Sequence, residues 1–197
     1  MNELINWLKG SLTLSKEAEN YINSVSHHSH YEKGSELLKS GDPVRRIYFI
    51  RNGCVRSYFV GLDGKEHTVQ FATKNWWISD YRSHTEDSPA TLSIESLSEV
   101  DTIEIQWSDL EKIYKRFPNI ETFKRQNCEK HLAALLTRII DQLRLNAKDR
   151  YLNFLKAYPE VMVFAKDYHI ASYLGIAPQS LSRLRRNDFE KEDGELT

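Results

Sequence analysis

Five glycines fall between Gly34 and Gly64, and none occurs between Gly64 and Gly175. Glycine marks tight turns, and a long stretch without it suits extended helix. This distribution predicts a β-rich first part and a helical remainder. Within the first part, "RRIYFIRNGCVRSYFVGLDGKEHTVQFA" predicts strands from Ile47 to Arg51, Val55 to Val60 and His67 to Ala72. Asn52-Gly53 and Asp63-Gly64 supply the positive φ that tight hairpins require. "TLSIESLSEVDTIEIQW" adds a pair, alternating Leu92, Ile94, Leu97 and then Val100, Ile103, Ile105. Short strands so spaced predict an antiparallel barrel or roll. Ahead of it, Leu4, Ile5, Leu8, Ala18, Tyr21, Ile22 and Val25 carry a weak helical pattern over residues 1–26.

Helical signals return at "SDLEKIYKRFPNIETFKRQNCEKHLAALLTRIIDQLRLNA". Ser108 is placed to cap a first helix, and Pro118 suits the start of a second, longer one. Leu132, Leu136, Ile139 and Leu143 follow each other at 4-3-4 spacing, a coiled-coil-like seam, with Leu135 and Ile140 as a second apolar flank. One small barrel offers too little surface to bury both stripes, so the seam is expected to face a second copy of the chain. The alternative is a helix internal to one core. The break near Asn146 suggests three parts: residues 1–117 as the roll with its leading helix, 118–146 as a dimerisation helix, and 147–197 as a compact helical unit. The expected class is α+β.

"IASYLGIAPQSLSRLRRN" is the most specific segment. A helix-turn-helix needs a small residue where the helices cross, a positive-φ residue in the turn and apolar anchors on the second helix. Ala171, Gly175, Leu181 and Leu184 fill those places, while Ile170, Leu174 and Ile176 face the core. Pro178 sits at the first turn of the second helix, expected to run to about Asn187. Gln179, Ser180, Ser182, Arg183 and Arg186 share its free face, and Arg185 adds a phosphate or mixed contact. Such side chains hydrogen-bond base edges and phosphates. An αα-hairpin in a helical core is the bland alternative. Tyr151, Phe154, Leu155 and Tyr158 read as core of this unit, and His169 as a phosphate contact or a partly exposed helix residue.

Charge agrees with this placement. The chain carries a net charge of -1, but nine Lys/Arg oppose four Asp/Glu from Arg138 to Arg186, whereas residues 188–197 are acidic. A locally basic region suits a polyanionic partner. Cys54 and Cys128 lie far apart, with no signal-like apolar run after Met1, and so read as reduced thiols of a cytoplasmic protein. No apolar stretch approaches the ~18 residues of a membrane span. No Ser/His/Asp, phosphate-loop or paired-carboxylate arrangement stands out, so no enzyme activity and no cofactor are expected.

Over nearly its whole length the chain resembles the Crp/Fnr family of bacterial transcription regulators. "GDPVRRIYFIRNGCVRSYF" and "DGKEHTVQFA" resemble the family's early roll, "SDLEKIYKRFPNI" its step from roll to dimer helix, and "IASYLGIAPQSLSRLRRN" its helix-turn-helix. The resemblance implies a cyclic-nucleotide-binding-type β-roll, a dimerisation helix and a winged helix-turn-helix. It also implies a homodimer on a pseudo-palindromic operator in double-stranded DNA, a small-molecule effector and a contact with RNA polymerase. By it, Gln179, Ser180 and Arg183 occupy base-reading positions.

Three departures follow. Cyclic-nucleotide members carry a Gly-Glu pair and, some ten residues later, an arginine for the cyclic phosphate. Here "WWISDYRSHTEDSPATLSIES" has no such pair, and Ala90 or Thr91 stands where the arginine is expected. A buried phosphate without its guanidinium loses compensation for desolvation, so no cAMP response is expected; Arg82 is the residue that could substitute. Two distant cysteines cannot hold the iron–sulfur cluster of oxygen-sensing members. "DFEKEDGELT" is too short and acidic for a full wing. Trp76, Trp77 and Tyr81, with Arg82, form a candidate effector pocket. Outside this class, His27, His28, His30 and Glu32, joined by His67 or His84, suggest a metal-binding cupin-like barrel as an alternative.

Overall fold

The structure, a computed structural model, describes residues 2–192, with side chains through residue 186. Its strands are β1 (His27–Tyr31), β2 (Glu36–Leu38), β3 (Arg46–Asn52), β4 (Val55–Val60), β5 (Glu66–Ala72), β6 (Trp77–Ile78), β7 (Ser93–Ser96) and β8 (Val100–Gln106). They form two antiparallel four-stranded sheets, in the orders β1-β8-β3-β6 and β2-β7-β4-β5. Leu38, Ile50, Val55, Ile94 and Val100 fill the space between them.

Helices cover the outer faces of both sheets. Against the first sheet lie α1 (Glu3–Lys9), α2 (Lys16–Val25) and α4 (Trp107–Arg116). Four successive residues of β3, Ile47 to Ile50, are therefore buried rather than alternating. Tyr48 and Ile50 join the core between the sheets, while Ile47 and Phe49 meet the helices. The leading helical pattern divides in two, because Asn2 and Ser15 each cap a separate helix. At α4 the expected cap is corrected. The helix starts at Trp107 after Gln106, which makes no side-chain cap bond, so Ser108 lies inside the first turn.

The 27-residue α5 (Pro118–Arg144) begins with its proline in the first turn. Beyond it come α6 (Ala147–Ala157), α7 (Val161–Phe164), α8 (Asp167–Leu174) and α9 (Pro178–Glu192); a short α3 (Tyr81–Thr85) follows β6. The last helices pack on the outer face of the second sheet. Cys54, Phe71 and Leu97 of the roll share one apolar cluster with Phe154, Ile170, Tyr173 and Leu181. Burial there pushes the Cys54 thiol up to about 12. At the β3–β4 turn Gly53 has φ +84°, and a Cβ would come within 2.2 Å of the Glu99 carbonyl oxygen. No helix of the described residues is long and apolar enough to cross a membrane.

Candidate nucleic-acid interface and adjoining cavity

Gly175 ends α8 at φ 66°, ψ 40°, a left-handed position that glycine occupies without strain. Its amide donates to Ser172 and Ala171, and the Ile176 amide returns 3.0 Å to the Ala171 carbonyl. Those bonds turn the chain sharply into α9. Ala171 and Ile170 are fully buried and so is Leu181, which fixes α9 across α8; Leu184 and Ile176 are partly covered. With Leu181 inward, Gln179, Ser180, Ser182, Arg183 and Arg186 lie exposed. Arg185 behaves differently. It donates 2.5 Å to Asp167 and 3.6 Å to the Met162 Sδ, bracing α9 on the start of α8. The helix continues to Glu192, beyond the expected end near Asn187, and the segment expected to form an abbreviated wing extends outside the described residues.

Two polar links fix this unit on the roll. Ser172 Oγ accepts from the Thr68 amide at 2.9 Å and donates to the Glu66 carbonyl at 3.1 Å, capping the free edge of β5. Arg138, on α5, donates to the Val69 carbonyl at 2.6 Å and the Tyr173 carbonyl at 2.8 Å, with its guanidinium 3.9 Å from the Tyr173 ring centre. Within the roll beneath it, Arg56, 2% exposed, donates to Glu95 at 2.7 Å, to Thr68 at 3.3 Å and to Glu66, tying β4 to β7 and β5. Beside that group lies His169, which the sequence placed on the surface. It is 3% exposed, and neither ring nitrogen has a hydrogen-bond partner. Burial, reinforced by Arg56, pushes its pKa down to about 4, so the ring is neutral at neutral pH.

The apolar stripe of α5 is uncovered. Leu132, Leu136 and Ile139 are each more than half exposed, and Leu143 is 85% exposed. Leu135 and Ile140 of the second flank are also exposed, and Ile120 is the buried residue of the helix.

At the end of the roll, Asp80 is 1% exposed and caps α3. One of its oxygens accepts from the Ser83 amide at 3.0 Å. The other accepts from the Ser83 hydroxyl (2.9 Å), the Thr91 amide (2.8 Å) and hydroxyl (3.0 Å), and the Leu92 amide (3.0 Å). Burial opposes the charge, but these bonds outweigh it and hold the carboxyl below its usual range. The donors beside Ala90 thus already face a carboxylate of the same chain. The sequence carried one sign of this, an acid three residues ahead of Ser83 at a helix start, a capping pattern.

Next to this cap, a cavity of about 530 Å³ opens between the roll and α5. Trp76, Trp77 and Tyr81 line it, and Lys124, Cys128 and His131 of α5 complete that wall. Arg82 is not among its lining residues; it pairs with Glu86 at 3.1 Å on the surface. The histidines at the start of the roll do not converge. His30 meets Asp101 at 3.0 Å, His28 lies 3.4 Å from Arg51, His67 stacks on Phe59, and His84 stacks on Trp107. Among the described residues no three His, Cys, Asp or Glu side chains come together as a metal site.

Residues 28–117 match the family model of the cyclic nucleotide-binding domain. The chain is 23% identical to electron transport regulator A of Shewanella oneidensis, covering 78% of this chain and 65% of that protein. It is 21% identical to the anaerobic regulatory protein of Haemophilus influenzae, covering 86% and 69%. The chain thus spans about two thirds of the length of these relatives. Among solved structures, FixK2 of Bradyrhizobium japonicum superimposes with a TM-score of 0.72 at 20% identity, covering 85% of this chain and 86% of that one. The c-di-GMP-responsive global regulator CLP of Xanthomonas campestris gives 0.71 at 14% identity, covering 91% and 93%. Both likenesses concern the fold.

Proposed function

We propose that the chain is a transcription regulator of the Crp/Fnr type, as its cyclic nucleotide-binding domain and regulator relatives support, and that it binds operator DNA as a homodimer. The observation that carries the reading is the exposed face of α9, where Gln179, Ser180, Ser182 and Arg183 project from a helix fixed by Leu181. Arg183 and Gln179 take the base contacts and Ser180 and Arg186 the phosphate contacts. Arg185 contributes chiefly by holding α9 in place through Asp167.

Dimerisation follows from α5. A 27-residue helix that buries so little of itself against its own chain leaves an apolar stripe that a second copy covers at the same spacing. Pairing the stripes brings two α9 helices to one side of the dimer. The roll acts without a cyclic nucleotide, because the Thr91 and Leu92 donors are held by Asp80 and a phosphate would meet a like charge. Regulation is then either constitutive or governed by a different ligand in the cavity against α5.

Retardation of fragmented genomic DNA tests the reading. Binding is expected with two protomers per site, and affinity should fall steeply with salt as phosphate counterions are released. Failure to retain any fragment even at low salt would contradict it.

A further inference from the structure

We infer that the cavity between the roll and α5 binds an aromatic monocarboxylic acid, with Lys124 and Tyr81 taking the carboxylate and the tryptophans packing its ring. The inference deepens the effector site of the regulator reading, and relies on the dimer for the partner helix that closes the open side along Leu132 and Leu135. Four observations carry it.

The first is shape and wall chemistry. About 530 Å³ is within the usual range of small-ligand sites. Trp7, Trp76, Trp77, Tyr81, Tyr158 and Tyr173 supply faces and edges for a planar ring.

The second is charge. Lys124, Lys130 and His131 line the cavity, and none of its lining residues is Asp or Glu. Lys124 has no carboxylate within ion-pair distance among the described residues, and its Nζ lies 4.5 Å from the Trp77 ring centre. Burial pushes this ammonium down to about 8, a cost that an anionic ligand would offset.

The third is donor geometry. Lys124 Nζ donates to the Tyr81 hydroxyl at 3.4 Å, which leaves the phenol proton free for an acceptor. The two neighbouring donors suit the two oxygens of one carboxylate.

The fourth is the number of charges. No arginine lines the cavity, and burial together with Lys124 lowers the pKa of His131, keeping it neutral. Lys130 is exposed, which leaves Lys124 as the one half-buried ammonium of the lining; one such charge balances a carboxylate better than a phosphate, whose recognition draws on guanidinium forks. The cyclic nucleotide alternative would also need the Thr91 and Leu92 donors that Asp80 holds.

The test is calorimetric titration of the full chain near pH 7 with benzoate, phenylacetate and indole-3-acetate, beside neutral indole-3-acetamide. At least one acid should bind at one site per subunit, and the amide about tenfold or more weaker, as loss of a charge-assisted contact requires. Because the free ammonium loses its proton above about pH 8, acid affinity should drop about tenfold or more by about pH 9.5. Lys124→Met, an apolar chain that suits the aromatic wall, should abolish the preference for acid over amide while circular dichroism shows it folded. Tyr81→Phe should weaken the acid and leave the amide unchanged, a second reading should Lys124→Met fail to fold. No binding of the three acids at about millimolar concentration, equal affinity for acid and amide, or a folded Lys124→Met that keeps the preference would each overturn the inference. DNA retardation on the same preparation separates the two readings: DNA binding without acid binding removes this site alone, and the reverse removes the operator reading alone.

Discussion

Asp80 accepts both the amide and the hydroxyl of Thr91, at 2.8 and 3.0 Å, so a carboxylate of the chain itself occupies the donors beside Ala90. In cyclic-nucleotide members an arginine for the phosphate is expected at this point. Calorimetry with cAMP or cGMP at about millimolar concentration should therefore show no specific heat. Saturable binding at one site per subunit would mean that Asp80 yields its donors to phosphate.

Arg138 ties three parts of the molecule together, since one guanidinium on α5 reaches Val69 in the roll and Tyr173 in α8. Arg138→Met keeps the stem but removes both bonds and leaves two carbonyls without this donor. At about 1.5–3 kcal/mol for each of the two hydrogen bonds from a charged group, stability should fall by about 3–6 kcal/mol in urea melts. Proteolysis should then cut first between α5 and α6, as the helix-turn-helix loses its hold on the roll. An unchanged melt and digestion pattern would show that the shared cluster of Phe71, Phe154 and Tyr173 suffices.

The stripe on α5 gives a test of assembly. Leu136 and Ile139 are 51% and 52% exposed in the single chain, so glutamates there cost its own fold little. Across a dimer seam the same changes place like charges face to face in a desolvated contact. Leu136→Glu with Ile139→Glu should sediment as a folded monomer with much weaker DNA binding. A folded dimer would place the seam elsewhere.

His169 should make stability depend on pH. Its folded pKa lies near 4, below the ordinary 6.5, through burial and Arg56, with Lys166 adding to the shift and Glu66 opposing it; Glu95 lies 3.9 Å away. As pH falls below about 6.5 the unfolded imidazole takes a proton that the folded one refuses. Stability should therefore be unaffected by this group above about 6.5 and fall progressively toward pH 4, by up to about 3 kcal/mol in all. His169→Leu removes a buried ring with two unpaired nitrogens. It should hold stability at neutral pH and flatten this slope; urea melts across that range decide it.

Much of this arrangement was legible in the sequence because it rests on local patterns. The hairpins around Gly53 and Gly64, the Gly175 turn and the proline opening α5 follow from backbone conformation that few residues tolerate. What escaped depends on neighbours distant in sequence. β1, "HHSHY", has no apolar alternation and exists through its pairing with β8. β6 is two residues long, and α3 rests on the Asp80 cap. Arg138 counted toward a surface for polyanions, yet it is directed inward to two carbonyls. Lys124 reads as a helix surface charge until Trp77 and Tyr81 of the roll are set against it. His169 sits among charges drawn from β4, β5 and β7, which no local spacing reveals.

The central claim is that the exposed face of α9 reads an operator in a symmetric dimer, and enrichment of genomic DNA on the purified protein tests it most directly. Two α9 helices should enter successive major grooves about 34 Å apart, so the recovered sequences should share a pseudo-palindrome with half-sites about one turn apart. Arg183→Ala should relax the preference at one base pair in each half-site, by the about 1–3 kcal/mol that an arginine–guanine pair contributes. Recovery of no common sequence, or of a motif without twofold symmetry that Arg183→Ala leaves unchanged, would contradict the account.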